Sequence, residues 1–386
     1  MATSRKLEPF GTSIFTEMSR LALQHGAINL SQGFPDFDGP ASIIEIAVEA
    51  LRGGQNQYAR SMGHPLLVEA IADDLDARHG LRWNPMSEVA VFAGCTEALM
   101  ASMVGLLNPG DEVIFFEPFY DSYPVCAAVA GATARYCPLR FPDFAVDFDH
   151  LAALFNPLTR LIVINTPNNP TGKVFSAEEL TRIAALCVEH DVIALTDEVY
   201  EHLTYEGARH TPMATIEGMR DRTLSLSSGG KTFSFTGWKV GWATGPAPLV
   251  AAAQAAHQFT TFCTPAPFQI ATARAIRQGP EGYLDELRAA YAARRAFLID
   301  ALESVGLKVA RPQGTYFVLA DFADLWEGDD LSFARHLTAE IKVAAIPPSG
   351  FYHDHPEEGR RLVRFAFCKQ MSTLEAAAER LQALRR

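Results

Sequence analysis

Short apolar runs alternate with helical stretches through the first half of this chain, and the alternation limits the folds open to it. The apolar runs cover residues 89–92, 112–116, 161–164 and 192–195. Between them, apolar residues recur at helical spacing over 97–107 and 178–190. Strands that alternate with helices form βαβ units and a mostly parallel sheet. We therefore predict an α/β fold, with a large domain whose mostly parallel sheet is sandwiched by helices.

The pattern changes beyond about residue 278. A long helical stretch, 283–305, precedes strand-like runs at 314–319 and 362–367. Such an order is typical of an α+β unit. We predict a large domain over residues 42–278 and a small α+β domain built from residues 1–41 and 279–386.

Composition and charge narrow the class of protein. Of 386 residues, 48% are hydrophobic and 20% are charged, as in soluble globular proteins. The net charge of −12 argues against nucleic acid or an anionic membrane surface as the main partner. Because there is no signal-peptide core and no membrane-spanning apolar segment, we expect a cytoplasmic protein. The six cysteines form no C-x-x-C pair, so the sequence predicts no metal site and no disulfide framework.

Lys231 is the first candidate for chemistry. It follows the apolar run 223–226, within a stretch of small residues, and ligands of parallel sheets bind where strands end. Lysine amines form Schiff bases with carbonyl compounds, including pyridoxal phosphate (PLP), although most lysines are solvated surface residues. A P-loop is the other alternative, but it requires glycine five residues before Gly230, where Ser225 stands.

Polar side chains follow two more of the predicted strands. Asp197 ends the run 192–196, with Tyr200 three residues later. A carboxylate there either caps the next helix or keeps the pyridine nitrogen of PLP protonated, and Tyr200 is placed to hydrogen-bond the cofactor's phenolic oxygen. Asn169 lies in the Asn- and Pro-rich stretch 165–172. That stretch is either an ordinary turn or a rigid ledge from which Asn169 donates to the same oxygen.

Three further positions have both a structural and a functional interpretation. Residues 93–96 connect a strand to a helix predicted to open at Glu97, so their amides form either a tight turn or a phosphate site. Tyr120 either packs in the core or stacks on a planar ring. Arg364 lies in an apolar strand and needs an anion, supplied by an internal carboxylate or by a substrate carboxylate.

Taken together, these residues resemble the PLP-dependent class I and II aminotransferases, of the type-I fold of aspartate aminotransferase. The resemblance covers nearly the whole chain. The chain is similar in particular to the branch that contains kynurenine, glutamine and bacterial methionine aminotransferases and cysteine-conjugate β-lyases. The stretches that carry this likeness are residues 30–35, 117–123, 196–202 and 231–239.

The resemblance implies a role for each matching position around PLP. Lys231 would be the Schiff-base lysine and Asp197 the partner of the pyridine nitrogen. Asn169 and Tyr200 would flank the phenolic oxygen, and Tyr120 would stack on the ring in place of the phenylalanine common in this branch. Phosphate contacts would come from Cys95, Thr96, Ser228 and Lys239. Glycine and an aromatic residue also occur among relatives at the positions of Cys95 and Thr96.

The same resemblance implies how substrate and subunits bind. Arg364 and the Gly33 backbone would hold the substrate α-carboxylate. Tyr58 would reach the phosphate of the neighbouring subunit, which implies a homodimer with shared active sites. Aromatic residues then suggest a pocket for an apolar or aromatic donor side chain, namely Phe15, Phe262, Phe351 and Tyr352.

We therefore expect a ping-pong transfer of an amino group from methionine, phenylalanine, tyrosine or a kynurenine-like amino acid to a 2-oxo acid. Two other activities remain open within the family: a cysteine-conjugate C–S β-lyase and a succinyl-diaminopimelate aminotransferase. A PLP-fold regulator that binds DNA is disfavoured, because neither end of the chain carries a basic helical extension.

Overall fold

The computed structural model describes residues 4–11 and 13–385, which form three sheets flanked by helices. In chain order the strands are β1 (Ile28–Asn29), β2 (Val89–Phe92), β3 (Glu112–Glu117), β4 (Thr133–Pro138), β5 (Thr159–Asn165), β6 (Ile193–Asp197), β7 (Thr223–Ser228), β8 (Gly241–Thr244), β9 (Lys308–Ala310), β10 (Phe317–Asp321), β11 (Val343–Ala344) and β12 (Leu362–Ala366).

The helices fill the connections between these strands. They are α1 (Ile14–His25), α2 (Ala41–Arg52), α3 (Pro65–His79), α4 (Cys95–Leu106), α5 (Ser122–Ala130), α6 (Phe148–Leu154), α7 (Ala177–Glu189), α8 (Gly229–Thr232), α9 (Ala247–Thr260), α10 (Ala266–Gln278), α11 (Tyr283–Ser304), α12 (Asp330–His336) and α13 (Met371–Leu381). Among these described residues, no helix is both long and apolar enough to cross a membrane.

The large sheet has seven strands in the order β2-β8-β7-β6-β5-β3-β4. The pairs from β7 through β4 are parallel, whereas β8 is antiparallel to both of its neighbours. Strands linked by helices favour parallel pairing. The crossover helix brings the chain back to the end of the sheet at which the previous strand began, so the next strand runs in the same direction. The predicted α/β fold with a mostly parallel sheet is confirmed.

Both faces of the large sheet are buried, and β5 shows how. Leu161 and Val163 belong to the apolar cluster on one face, while Ile162 and Ile164 belong to the cluster on the other. Successive side chains of a strand point to opposite faces, so a continuous apolar run is what a strand covered by helices on both sides requires.

The N-terminal segment joins the C-terminal part of the chain. β1 pairs in parallel with β11, with Ile28 opposite Val343. The third sheet is antiparallel and has the strand order β12-β10-β9. Leu30 packs into the same apolar cluster as Tyr316. The division into domains at residues 42 and 278 stays a prediction.

Helix boundaries follow local sequence signals. α7 begins with a capping box, in which the Ser176 hydroxyl accepts from the Glu179 backbone amide and the Glu179 carboxylate accepts from the Ser176 amide. α4 begins at Cys95, two residues before the predicted start at Glu97. Cys95 and Thr96 therefore lie in the first helical turn and not in a separate loop, because Gly94, with φ of +83°, makes the turn alone.

Candidate active site

One cavity of about 470 Å³ collects the predicted site residues at the carboxyl ends of β5, β6 and β7. Every residue predicted to contact the cofactor or the substrate carboxylate lines it except Tyr58, whereas Phe262, Phe351 and Tyr352 of the expected donor pocket do not. The lining residues among the predictions are Phe15, Gly33, Cys95, Thr96, Tyr120, Asn169, Asp197, Tyr200, Ser228, Lys231, Lys239 and Arg364. The parallel strands bring Asn169, Asp197 and Ser228 together from distant parts of the sequence, as open α/β sheets do.

Lys231 lies in the short helix α8, directly after β7. Its Nζ donates to the Tyr316 hydroxyl at 2.9 Å and to the Gly33 carbonyl at 3.3 Å. The Tyr316 hydroxyl itself donates to the Gly33 carbonyl at 2.7 Å. Burial lowers the pKa of the Lys231 amine from its usual value. A lysine with a lowered pKa in a cavity suits a nucleophile and a proton carrier.

Asp197 ends β6 and is buried, with 8% of its surface exposed. Its carboxylate accepts from the Tyr123 hydroxyl at 2.7 Å and the Val199 amide at 3.3 Å. Burial raises the pKa of Asp197, whereas these hydrogen bonds, and the charge of Lys231, oppose that rise. No Lys, Arg or His within 4.0 Å pairs with it in the described part of the chain, so a cationic ring nitrogen would be a fitting partner.

Asn165 and Asn169 connect the backbone of Asp197 to the substrate side of the cavity. Asn165 Nδ2 donates to the Asp197 carbonyl at 2.9 Å, and Asn165 Oδ1 accepts from the Asn169 amide at 2.7 Å. Asn169 Oδ1 accepts from Arg364 Nη1 at 2.9 Å. Because the oxygen of Asn169 is occupied by Arg364, its side-chain NH₂ is the group available to donate to a ligand.

Arg364 lies in β12 and is 1% exposed. Its Nη2 donates to the Ser31 carbonyl at 2.8 Å, and its Nε has no hydrogen-bond partner within residues 4–11 and 13–385. None of the described ion pairs includes Arg364, and the internal carboxylate whose charge acts on it, that of Asp121, is not within ion-pair distance. Burial lowers its pKa to about 10. A buried guanidinium without a direct ion-pair partner suits a substrate carboxylate.

Aromatic rings surround that guanidinium. Its Cζ lies 4.1 Å from the centre of the Phe317 ring and 5.1 Å from that of Phe15. Phe15 in turn stacks on Phe351, with ring centres 5.7 Å apart. Phe351 is buried behind Phe15 and does not line the cavity. The rings hold the guanidinium by cation–π contacts and keep water from it.

The amino end of α4 forms a cradle with Lys239. Lys239 has a left-handed backbone, with φ of +54°. A Cβ at Gly94 would lie 2.9 Å from Lys239 Nζ, and a Cβ at Gly241 would lie 2.5 Å from the Cys95 amide nitrogen. Only glycine therefore fits at these two positions. Unpaired amides at the start of a twelve-residue helix, beside a lysine, suit a phosphate group.

Four predicted aromatic residues do not line the cavity: Tyr58, Phe262, Phe351 and Tyr352. Tyr58 is 82% exposed and meets the ring of Phe262 edge-on, with centres 5.3 Å apart. Tyr352 is buried, and its hydroxyl donates to the Leu139 carbonyl at 3.3 Å. The prediction that Phe262, Phe351 and Tyr352 line the donor pocket is wrong for the chain by itself, because local sequence does not show which way a ring points.

Sequence reasoning missed Tyr316, Tyr123 and Asn165. Tyr123 lies in the aromatic stretch 117–123 and Tyr316 in the strand-like run 314–319, so their positions were visible but their contacts were not. Asp121, beside Tyr120, was also missed and lines the cavity. Burial raises its pKa, an effect that the charge of Arg364 opposes.

Comparison with known proteins assigns the family. The family model "Aminotransferase class I and II" matches residues 25–381. The chain belongs to the class I and II aminotransferases. A probable N-succinyldiaminopimelate aminotransferase of Mycobacterium tuberculosis is 44% identical over 99% of this chain and 98% of its own length. The methionine aminotransferase of Escherichia coli is 42% identical over 98% of this chain and 97% of its own length.

A solved structure agrees with this assignment. The N-succinyldiaminopimelate aminotransferase from Mycobacterium tuberculosis superposes with a TM-score of 0.96 and 44% identity, covering 99% of this aminotransferase and 100% of that chain. The predicted fold and the predicted enzyme class, a transferase of amino groups, are therefore confirmed. Class I and II aminotransferases use PLP.

Proposed function

We propose that this aminotransferase binds PLP at Lys231 and transfers the amino group of an apolar or aromatic L-amino acid to a 2-oxo acid in a ping-pong reaction. The observation that carries the proposal is the convergence of an amine, a buried carboxylate and a buried guanidinium on one cavity of about 470 Å³. In that cavity Lys231 and Asp197 face the cofactor and Arg364 faces the substrate.

The residues present fit PLP in four separate ways. The cradle of α4 and Lys239 would hold the phosphate, with Ser228 beside it. Asp197, which lacks a cation of its own, would hold the ring nitrogen, and the free NH₂ of Asn169 together with Tyr200 would hold the phenolic oxygen. Tyr120 would stack on the ring. PLP, when bound, withdraws electrons from the α-carbon of the donor and acidifies the proton there.

Two residues of this chain act on the donor. Arg364 binds its α-carboxylate through the guanidinium fork and fixes the direction of the bond to the α-hydrogen, which is a positioning effect. Lys231 Nζ takes the proton from the α-carbon and holds it for return, because burial favours the neutral amine. The Gly33 carbonyl and the Tyr316 hydroxyl orient that amine.

The lining of the cavity favours a donor side chain without a second carboxylate. The charged residues that line it are Asp121, Asp197, Lys231, Lys239 and Arg364. The three cations already have roles, and Asp121 adds a negative charge. The methionine aminotransferase of Escherichia coli, at 42% identity, supports methionine as the first donor to test.

We also infer a homodimer. Tyr58 and Phe262 form an exposed aromatic pair away from the cavity of their own chain, and aromatic residues are enriched in subunit interfaces. Tyr58 would then complete the phosphate site of the neighbouring subunit. The cytoplasmic location and the division into two domains remain predictions from the sequence.

The proposed reaction is tested by the near-visible absorbance of the full chain incubated with PLP. We expect a yellow band that bleaches with methionine and returns when a 2-oxo acid is added. Lys231→Ala should remain folded and lose this cycle, whereas Lys308→Ala, at an exposed ion pair, should keep it. A protein that stays colourless with PLP would contradict the proposal.

The relative from Mycobacterium tuberculosis supports a second candidate, transfer from N-succinyldiaminopimelate. A donor panel that includes this compound, methionine, phenylalanine and kynurenine ranks the two by kcat/KM. The β-lyase alternative is separated by adding a cysteine conjugate, because elimination releases pyruvate and ammonia whereas transfer releases a 2-oxo acid that retains the sulfur.

A further inference from the structure

A carboxylate that is 15% exposed, Glu97, and a fully buried histidine, His257, lie directly behind the phosphate cradle. Glu97, in the first turn of α4, accepts through Oε2 from the Ala93 amide at 2.6 Å. Ala93 is the residue after β2, so this bond closes the turn between strand and helix. The turn carries Gly94 and leads into the amides of Cys95 and Thr96. Its shape therefore sets where those amides point.

The second oxygen of Glu97 reaches a different helix. Oε1 accepts from His257 Nδ1 of α9 at 2.7 Å and from the Thr260 hydroxyl at 3.3 Å. His257 is 0% exposed, and its ring meets that of Phe92 with centres 5.0 Å apart. One carboxylate thus joins the turn to α9.

An ordinary helix cap does not account for this arrangement. A glutamate in the first turn of a helix needs only one carboxylate oxygen to accept from a backbone amide at the helix start, and the other oxygen is then free for solvent. Here the other oxygen is held by a histidine whose Nε2 is buried with no hydrogen-bond partner among the described residues. Burying a ring nitrogen without a partner is unfavourable, so the bond to Glu97 and the contact with Phe92 are what hold this ring in place.

The helices α4 and α9 also pack closely against each other further along α4. A Cβ at Gly105 of α4 would lie 2.1 Å from the Ala252 carbonyl oxygen of α9, so the two backbones are in direct contact. α9 therefore provides a fixed support for His257, and through it for Glu97. A carboxylate so near the start of α4 would repel a phosphate, but both of its oxygens are turned to donors of the protein.

We propose that Glu97 and His257 are a positioning pair that holds the 93–96 turn in the shape its amides need to bind the cofactor's phosphate. The inference rests on the proposed function, because it takes the phosphate to be that of PLP. Neither residue lines the cavity or touches the substrate. The pair acts through Ala93, and its loss would affect the phosphate and leave the ring contacts in place.

The test compares PLP with pyridoxal, which has the ring but no phosphate. Both are titrated into the full chain after removal of its cofactor, and binding is followed by absorbance. We expect Glu97→Ala and His257→Leu to weaken PLP about tenfold or more and to change pyridoxal by less than about twofold. Glu97→Gln still accepts from Ala93, and its NH₂ donates to His257 Nδ1 in the other ring tautomer, so this variant should recover most of the PLP affinity. His257→Asn, whose amide nitrogen stands near Nδ1, should do the same.

Glu88→Ala is the matched control. Glu88 also accepts from a backbone amide, that of Asn84 at 2.7 Å, but at the other end of β2, so this variant should bind PLP normally. Equal losses for PLP and pyridoxal, or unchanged PLP affinity in both removal variants, would overturn the proposal. If one removal variant does not fold, its partner on the other helix provides the same test. A wild-type chain that binds neither compound would instead overturn the proposed function.

Discussion

Lys231 and Tyr316 are hydrogen-bonded across 85 positions of sequence, Nζ to hydroxyl at 2.9 Å. The Gly33 carbonyl accepts from both groups, at 3.3 Å from Nζ and 2.7 Å from the hydroxyl. A neutral amine has two N–H groups, and two acceptors therefore occupy both. The lone pair of Nζ is left to accept a proton, which is what proton transfer from the α-carbon of the donor requires.

Tyr316→Phe should slow that proton transfer, because the amine loses one of the two groups that orient it. We expect kcat to fall about 10- to 100-fold, with little change in methionine KM. The kinetic isotope effect with α-deuterated methionine should rise as proton transfer becomes more limiting. Tyr291→Phe is the control, since Tyr291 packs 5.9 Å from the Tyr316 ring and does not contact Lys231. An unchanged isotope effect would assign Tyr316 a packing role only.

Arg364→Lys should abolish most donor binding. Lysine cannot donate to Asn169 and Ser31 and also present a flat fork to a carboxylate. We expect kcat/KM for methionine to fall about 100-fold or more, mostly through KM. Arg361→Lys, at an exposed position three residues away, should alter it less than about twofold. Steady-state kinetics with both variants decide this, and a loss confined to kcat would argue against carboxylate binding.

Glu201 gives a prediction for stability against pH. Burial alone would raise its pKa, but Arg78, at 2.9 Å, together with His202, His210 and the Ser227 hydroxyl, lowers it to about 2. The folded pKa lies below the unfolded one, so the stabilisation is complete above about pH 4.5 and is lost as the pH falls towards about 2.

Glu201→Gln should therefore reduce the free energy of unfolding by about 2–4 kcal/mol at pH 7. The difference from the wild type should shrink progressively below about pH 4.5. Urea unfolding at several pH values measures it. Glu303→Gln, in an exposed pair with Arg311, should cost less than about 1 kcal/mol. A difference that stays constant with pH would mean that packing, and not charge, is lost.

Mixed dimers test the inferred role of Tyr58. In a dimer of one Lys231→Ala and one Tyr58→Phe subunit, one site has both defects and the other has neither. Random mixing of two weakly active variants should therefore restore about a quarter of wild-type activity per site. Activity after unfolding and refolding the mixture, compared with each variant alone, measures this. No recovery would mean that Tyr58 does not serve the neighbouring subunit.

The large sheet and the positions of Lys231, Asp197 and Arg364 were predictable from the sequence. Apolar runs give the strands, and the rule that ligands bind at strand ends then selects Lys231 and Asp197. Arg364 was selected because a charged residue within an apolar strand needs an anion. The contacts between these residues were not predictable. Glu97 and His257 are 160 positions apart, and periodicity assigns residues to faces without pairing side chains across a fold.

Orientation of exposed residues was the other limit. Phe262 was expected in the donor pocket, but in the single chain it does not line the cavity and contacts Tyr58, which was predicted to serve the neighbouring subunit. Whether such a ring serves its own chain depends on the neighbouring subunit, and the sequence of one chain does not contain that geometry. The start of α4 was misplaced for a local reason, because the positive φ of Gly94 completes the turn in one residue.

The guanidinium of Arg364 is buried without an ion-pair partner. Its site therefore couples the stability of the folded chain to the concentration of small carboxylic acids. A ligand that binds only the native state raises the free energy of unfolding in proportion to the logarithm of its concentration. Amino acids and 2-oxo acids all carry a carboxylate, so each that binds Arg364 as proposed would stabilise this protein. Starvation for these metabolites would then shorten the lifetime of the enzyme that interconverts them.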